Sequence, residues 1–105
     1  MSDRRSREML SFNSTSTGEG SAFVVPGSRF FAMQVTGGTV TASLEGSVAG
    51  TTSTAAWFDL IASSTYAIGG VAFSTGDKVA NHVRANVSVG SGTTNDAYIW
   101  ITAAP

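Results

Sequence analysis

The sequence predicts an all-β protein, an antiparallel β-sandwich or jelly roll of about seven or eight strands. Three observations carry that expectation. Ser, Thr and Gly supply 15, 13 and 12 of the 105 residues. These are weak helix formers, whereas Thr favours strands and Gly favours turns. Apolar and polar residues alternate in several short runs, the signature of strands with one buried face. Turn residues recur every 8–12 positions, the spacing of sandwiches and jelly rolls, with a small barrel as the alternative.

The elements follow in chain order. Residues 1–20, MSDRRSREMLSFNSTSTGEG, are polar and Gly-rich after a short basic start. They read as an extended N-terminal arm, ordered only where something outside the domain holds it. Residues 21–105 then form the sandwich. SAFVV (21–25) is an apolar run stopped by Pro26-Gly27. RFFAMQVT (29–36) and TVTASLEG (39–46) flank Gly37-Gly38, a two-residue hairpin signal. In the second of these, Val40, Ala42 and Leu44 share one face, with Thr39, Thr41 and Ser43 on the other.

Residues 46–56 form a long bland loop. It carries no charge and no ring, and reads as a crossing from one sheet to the other. Trp57, Phe58 and Leu60 anchor the return into the strand AAWFDLIA (55–62). TYAIGGVAF (65–73) divides into two short pieces around Gly69-Gly70. In KVANHVRANVSV (78–89), Val83, Ala85, Val87 and Val89 form one stripe. NDAYIWITA (95–103) follows the turn Gly90-Ser91-Gly92.

Two runs break the alternation. Phe30–Met33 and Ala97–Ile101 are apolar on both faces. Strands buried on both faces are ordinarily covered by helices, and no helical pattern is present. A second subunit is the remaining cover, the alternative being a small sandwich that leaves aromatics exposed. Phe30, Phe31, Met33, Tyr98 and Trp100 are the expected interface residues. Arg84, opposite in phase to the valine stripe, joins them as a partner for Glu45 or Asp59.

Composition narrows the function. One domain is expected at this length, with roughly two-thirds of the unfolded surface buried. Charged residues are 12% of the chain and net charge is −1, no footprint for nucleic acid. There is no cysteine, hence no disulfide, thiol nucleophile or cysteine-ligated zinc. No apolar run reaches the ~18 residues of a membrane span. The start lacks the apolar segment of a secretory signal, so synthesis in the cytoplasm is expected.

Reactive groups are sparse. His82 is the only histidine, and one histidine on a strand is in most proteins structural. Glu45, Asp59, Asp77 and Asp96 are too scattered for a calcium loop. No serine lies in a nucleophile motif. Trp57, Tyr98 and Trp100 offer the flat rings of a sugar-stacking platform, although their apolar neighbours suit a core or a subunit interface. Neither enzyme activity nor any cofactor or metal is expected.

TGGTVTASLEGSVAGTTSTAAWFDL (36–60) and HVRANVSVGSGTTNDAYIWI (82–101) resemble small β-rich virion proteins of tailed bacteriophages. The shared pattern runs strand, L-x-G-S, loop, W-x-x-L, then V-R-A-N-V and a terminal hairpin, over about residues 30–102. It implies a capsid decoration (cement) protein on the capsid surface, binding the major capsid protein as a homo-oligomer, with a trimer favoured. By the same analogy the arm, through Arg4, Arg5, Arg7, Met9, Leu10 and Phe12, would contact the capsid. A tail, neck or fibre component, or a carbohydrate-binding host-adhesion module, is the alternative.

Overall fold

A computed structural model of the chain describes residues 7–49, 56–92 and 95–105. Among these, nine strands form two antiparallel sheets and no helix is present: β1 (Arg7–Ser14), β2 (Gly18–Glu19), β3 (Phe23–Ser28), β4 (Phe30–Thr36), β5 (Val40–Ser47), β6 (Phe58–Tyr66), β7 (Val71–Phe73), β8 (Ala80–Val89) and β9 (Ala97–Ala104). One sheet has the order β1-β9-β4-β7. The other runs β2-β8-β5-β6, with β3 also paired to β8. The expected all-β sandwich is therefore what the chain forms.

Alternation builds the core. From β4 and β9, Phe31, Met33, Val35, Ile99 and Ile101 point inward and are buried. From β5, β6 and β8, Val40, Ala42, Leu44, Leu60, Val83, Ala85 and Val87 meet them. Such burial removes apolar area from water at about 25 cal/mol per Å². Gly46 sits on the inward face of β5. A Cβ there would lie 2.7 Å from Leu60 Cδ1 and 2.9 Å from Ala80 Cβ. The glycine of L-x-G-S therefore makes room for Leu60.

Three local expectations need correction. Gly37-Gly38 does not close a hairpin, since β4 and β5 lie in different sheets. Both faces are half-buried strands, so a turn that changes sheet satisfies each of them as well as a hairpin would. The loop from Gly46 is not a crossing, because β6 pairs with β5 in the same sheet (Glu45 opposite Asp59, Gly46 opposite Phe58). Residues 50–55 of that loop lie outside the described residues. Pro26-Gly27 does not end its strand either. β3 continues to Ser28 across a register shift. It is an edge strand, where a missing N–H is tolerated, and Asn81 Oδ1 accepts from Gly27 N at 2.9 Å.

The largest correction concerns residues 7–20. They are not an arm. β1 pairs antiparallel with β9 from Arg7–Ala103 to Ser14–Ala97, and Met9 and Phe12 are core residues. β2 adds Gly18 and Glu19 to β8. The physical reason is a bulge between Leu10 and Phe12, which lets both Met9 and Phe12 face inward. It also turns Ser11 toward the other sheet. The buried Ser11 hydroxyl accepts from Ala85 N at 3.0 Å and donates to Ser21 O at 2.8 Å. Arg4 and Arg5 lie outside the described residues.

Ser11→Ala leaves the buried Ala85 N–H without its partner and should lower stability by about 1–3 kcal/mol. Urea unfolding measures it, with the surface change Ser14→Ala expected within about 0.5 kcal/mol of the parent. Gly46→Ala should cost about 1–3 kcal/mol in the same assay, through crowding of Leu60.

Candidate functional site

The two outer faces differ in chemistry. On the outer face of the β8-β5-β6 sheet, β8 and β5 place Arg84 opposite Glu45, Asn86 opposite Ser43 and His82 opposite Ser47. Arg84 Nε donates to Glu45 Oε1 at 2.8 Å. Asn86 Nδ2 donates to Glu45 Oε2 at 3.2 Å. A second carboxylate, Glu19 on β2, lies 3.4 Å from Arg84 Nη2. Trp57 covers the guanidinium, with the ring centroid 4.0 Å from Cζ. Delocalised charge and a planar fork suit arginine to this combined stacking and pairing.

Arg84 is thus bonded within its own chain, to Glu45. The aromatic landing of the loop divides its work accordingly. Trp57 lies on Arg84, Phe58 packs partly against the core, and Leu60 enters it. His82 is buried beside this network, and its Nδ1 has no hydrogen-bond partner among the described residues.

The outer face of the β1-β9-β4-β7 sheet is different. Tyr98, Trp100 and Thr102 point outward from β9. Their counterparts on β4 are Thr36, Gln34 and Ala32, each directly opposite. Leu10 of β1 lies on the far side of Trp100, and Val71 of β7 on the far side of Gln34. A shallow depression of about 310 Å³ is lined by Ala32, Gln34, Thr36, Val71, Trp100 and Thr102, with Met33 beneath. Trp100 retains 36% exposure beside it. Gln34 Nε2 reaches Gly69 O at 3.4 Å.

Toward the β7 edge the face becomes apolar. Phe30 is 52% exposed, Phe73 73%, and Ile68 and Val71 are also open. The turn at Gly76 lies against the Phe30 ring. Thr75 donates from its hydroxyl to the Asp77 carboxylate, which holds that carboxyl below the usual range. Burial raises the Tyr66 phenol above its ordinary value.

Of the residues expected at an interface, Phe30, Tyr98 and Trp100 share this open face. Phe31 and Met33 do not. They are inward-facing core residues, at 3% and 1% exposure, because alternation along β4 sends every second residue to each side. Of the residues expected to contact a capsid, Met9 and Phe12 are in the core, and Leu10 is half-buried on the open face. Arg7 opens β1. Gln34, Val71 and Phe73 carry no sequence signal of their own. Their common face depends on β7 joining β4, a pairing between strands some forty residues apart. Among the described residues no group of three or more His, Asp or Glu is placed to hold a metal ion.

No protein-family model matches the chain, and no curated protein matches it in sequence. Among solved structures, the crystal structure of a protein named PirA is similar, with a TM-score of 0.47 and 14% identity. The likeness covers 98% of this chain and 95% of that one.

Arg84→Ala removes a charge-assisted bond from a mostly buried pair and should lower stability by about 1.5–3 kcal/mol. Arg84→Lys should recover only part of this, since an ammonium does not stack as a planar guanidinium does. A double-mutant cycle with Glu45→Gln, read by urea unfolding, isolates the pair.

Proposed function

We propose that the chain is a structural binding protein of the capsid decoration (cement) type, acting on the virion surface through the major capsid protein and as a homo-oligomer, with a trimer favoured. One observation supports the reading most. Phe30, Phe73 and Val71 are exposed along the β7 edge of one sheet, Phe73 opposite Ala32 and Val71 opposite Gln34. Clustered exposed apolar residues mark protein contact surfaces. On the opposite sheet, Trp57, Arg84, Glu45 and Asn86 satisfy one another. The resemblance of residues 36–60 and 82–101 to tailed-phage virion proteins supplies the particular partner.

The capsid contact rests on this edge rather than on Met9 and Phe12, which are used by the core. Many weak contacts repeated over a symmetric shell add up without any one being strong. Catalysis has no part in this reading.

Two measurements test it. Gold-labelled antibody against the chain should mark the heads of tailed-phage particles purified from the source lysate, in many copies per head. Label confined to tails, or absent from particles, would overturn the decoration role. Light scattering on the purified chain should give the mass of three copies, and Phe73→Asp should weaken capsid attachment or reduce that mass. A strict monomer, or a Phe73→Asp variant indistinguishable in both respects, would remove the β7 corner as the contact.

A further inference from the structure

Beyond the apolar corner, the centre of the same sheet face carries a different chemistry. Trp100 stands on β9, directly opposite Gln34 on β4, and Val71 flanks Gln34 from β7. Between them lies the depression of about 310 Å³, with Ala32 as part of its lining. That volume is at the small end of the ~300–1,000 Å³ usual for small-molecule sites. It suits one ring of a ligand whose remainder stays in solvent.

The lining residues carry no formal charge. They combine one flat indole with a carboxamide and two hydroxyls, those of Thr36 and Thr102. An ionic ligand would find no counter-charge there, and a purely apolar one would strand the polar groups. The indole face carries the negative lobe of its quadrupole, which attracts the weakly positive C–H bonds on one side of a sugar ring. A carboxamide has two N–H donors and an acceptor oxygen. The contact to Gly69 O uses one N–H and fixes the group at the rim, leaving a donor and an acceptor for a pair of adjacent hydroxyls.

We propose that Trp100 and Gln34, with the hydroxyls of Thr36 and Thr102 at either end, form a binding site for a neutral glycan, with Trp100 as the stacking surface for one pyranose unit and Gln34 as its orienting hydrogen-bond group. The site is independent of the decoration reading. It meets the apolar corner only at Val71, so a glycan at the sheet centre and a protein at the β7 edge can be held together. Tyr98, two residues from Trp100 on the same face, extends the surface to a neighbouring sugar.

The test is an NMR titration of the full chain, following the two indole N–H resonances, with Trp57→Phe used to assign them. The probes are cellotetraose, maltotetraose and chitotetraose as neutral oligosaccharides, and tetragalacturonate as the charged counterpart. A saturable, millimolar shift of the Trp100 resonance with at least one neutral probe, and none with tetragalacturonate, is expected. Trp100→Ala and Gln34→Ala should each weaken that binding at least tenfold while the chain still unfolds cooperatively. Trp100→Phe should keep part of it. No shift with any neutral probe at millimolar excess would overturn the site. So would equal binding by folded Trp100→Ala, or a shift that follows Trp57. Concentration-dependent shifts without sugar would assign the face to a second copy of the chain instead.

Discussion

One buried hydroxyl, that of Ser11, joins the two sheets at the edge of β8. Along the edge of β8, β2 covers Asn86 and Val87, and β3 covers the stretch from Ala80 to Val83. Ala85 falls between them, and its buried N–H is met by Ser11 Oγ from the opposite sheet. The neighbouring backbone completes the junction: Gly20 N donates to Ala85 O, and Ser21 N to Ser11 O. Gly20 must be a glycine here. A Cβ would fall only 2.3 Å from Ser11 O, well inside contact distance. A buried backbone group without a partner is among the more costly defects a small domain can carry. The bulge in β1 is therefore a built feature that seals the seam between the sheets.

With that seam closed, the polarity of the two outer faces decides what remains for binding. One face spends its charges internally. Glu45 serves both Arg84 and Asn86, and Trp57 roofs the guanidinium. The other face keeps its rings and its carboxamide turned outward. A chain with only 12% charged residues has few ways to make a specific contact through ion pairs. Shape, aromatic surface and neutral hydrogen bonds are what its open face can offer.

The sequence was most legible where alternation was clean. Val40, Ala42 and Leu44, and Val83, Ala85 and Val87, are inward as their period requires, whereas Val89, the fourth residue of that stripe, is exposed beyond a register shift against β5. Trp100 and Tyr98 were recognisable as a face, because they alternate with Ile99 and Ile101. It was least legible where identity and neighbourhood conflict. SREMLSFNS looks too polar for a core strand, yet a bulge places Met9 and Phe12 on the same side. Gly37-Gly38 has hairpin chemistry but serves a change of sheet. The run Phe30–Met33 is apolar throughout and gives no sign of which residues face outward, and the pleat separates Phe31 and Met33 from Phe30. Of the site, Trp100 was visible, but Gln34 and Val71 acquire meaning only from a register that no local pattern encodes.

The pairing of β1 with β9 has a consequence for how the protein comes into being. More than eighty residues separate Ser14 from its partner Ala97. Only β5 and β6 are both consecutive and paired among the described strands. Closing such long loops is entropically expensive and slows folding. At a synthesis rate of ~5–20 residues per second, β1 waits several seconds on the ribosome before its neighbour exists. During that interval Met9 and Phe12 have no core to enter, and the chain's early segment is a natural client for a chaperone.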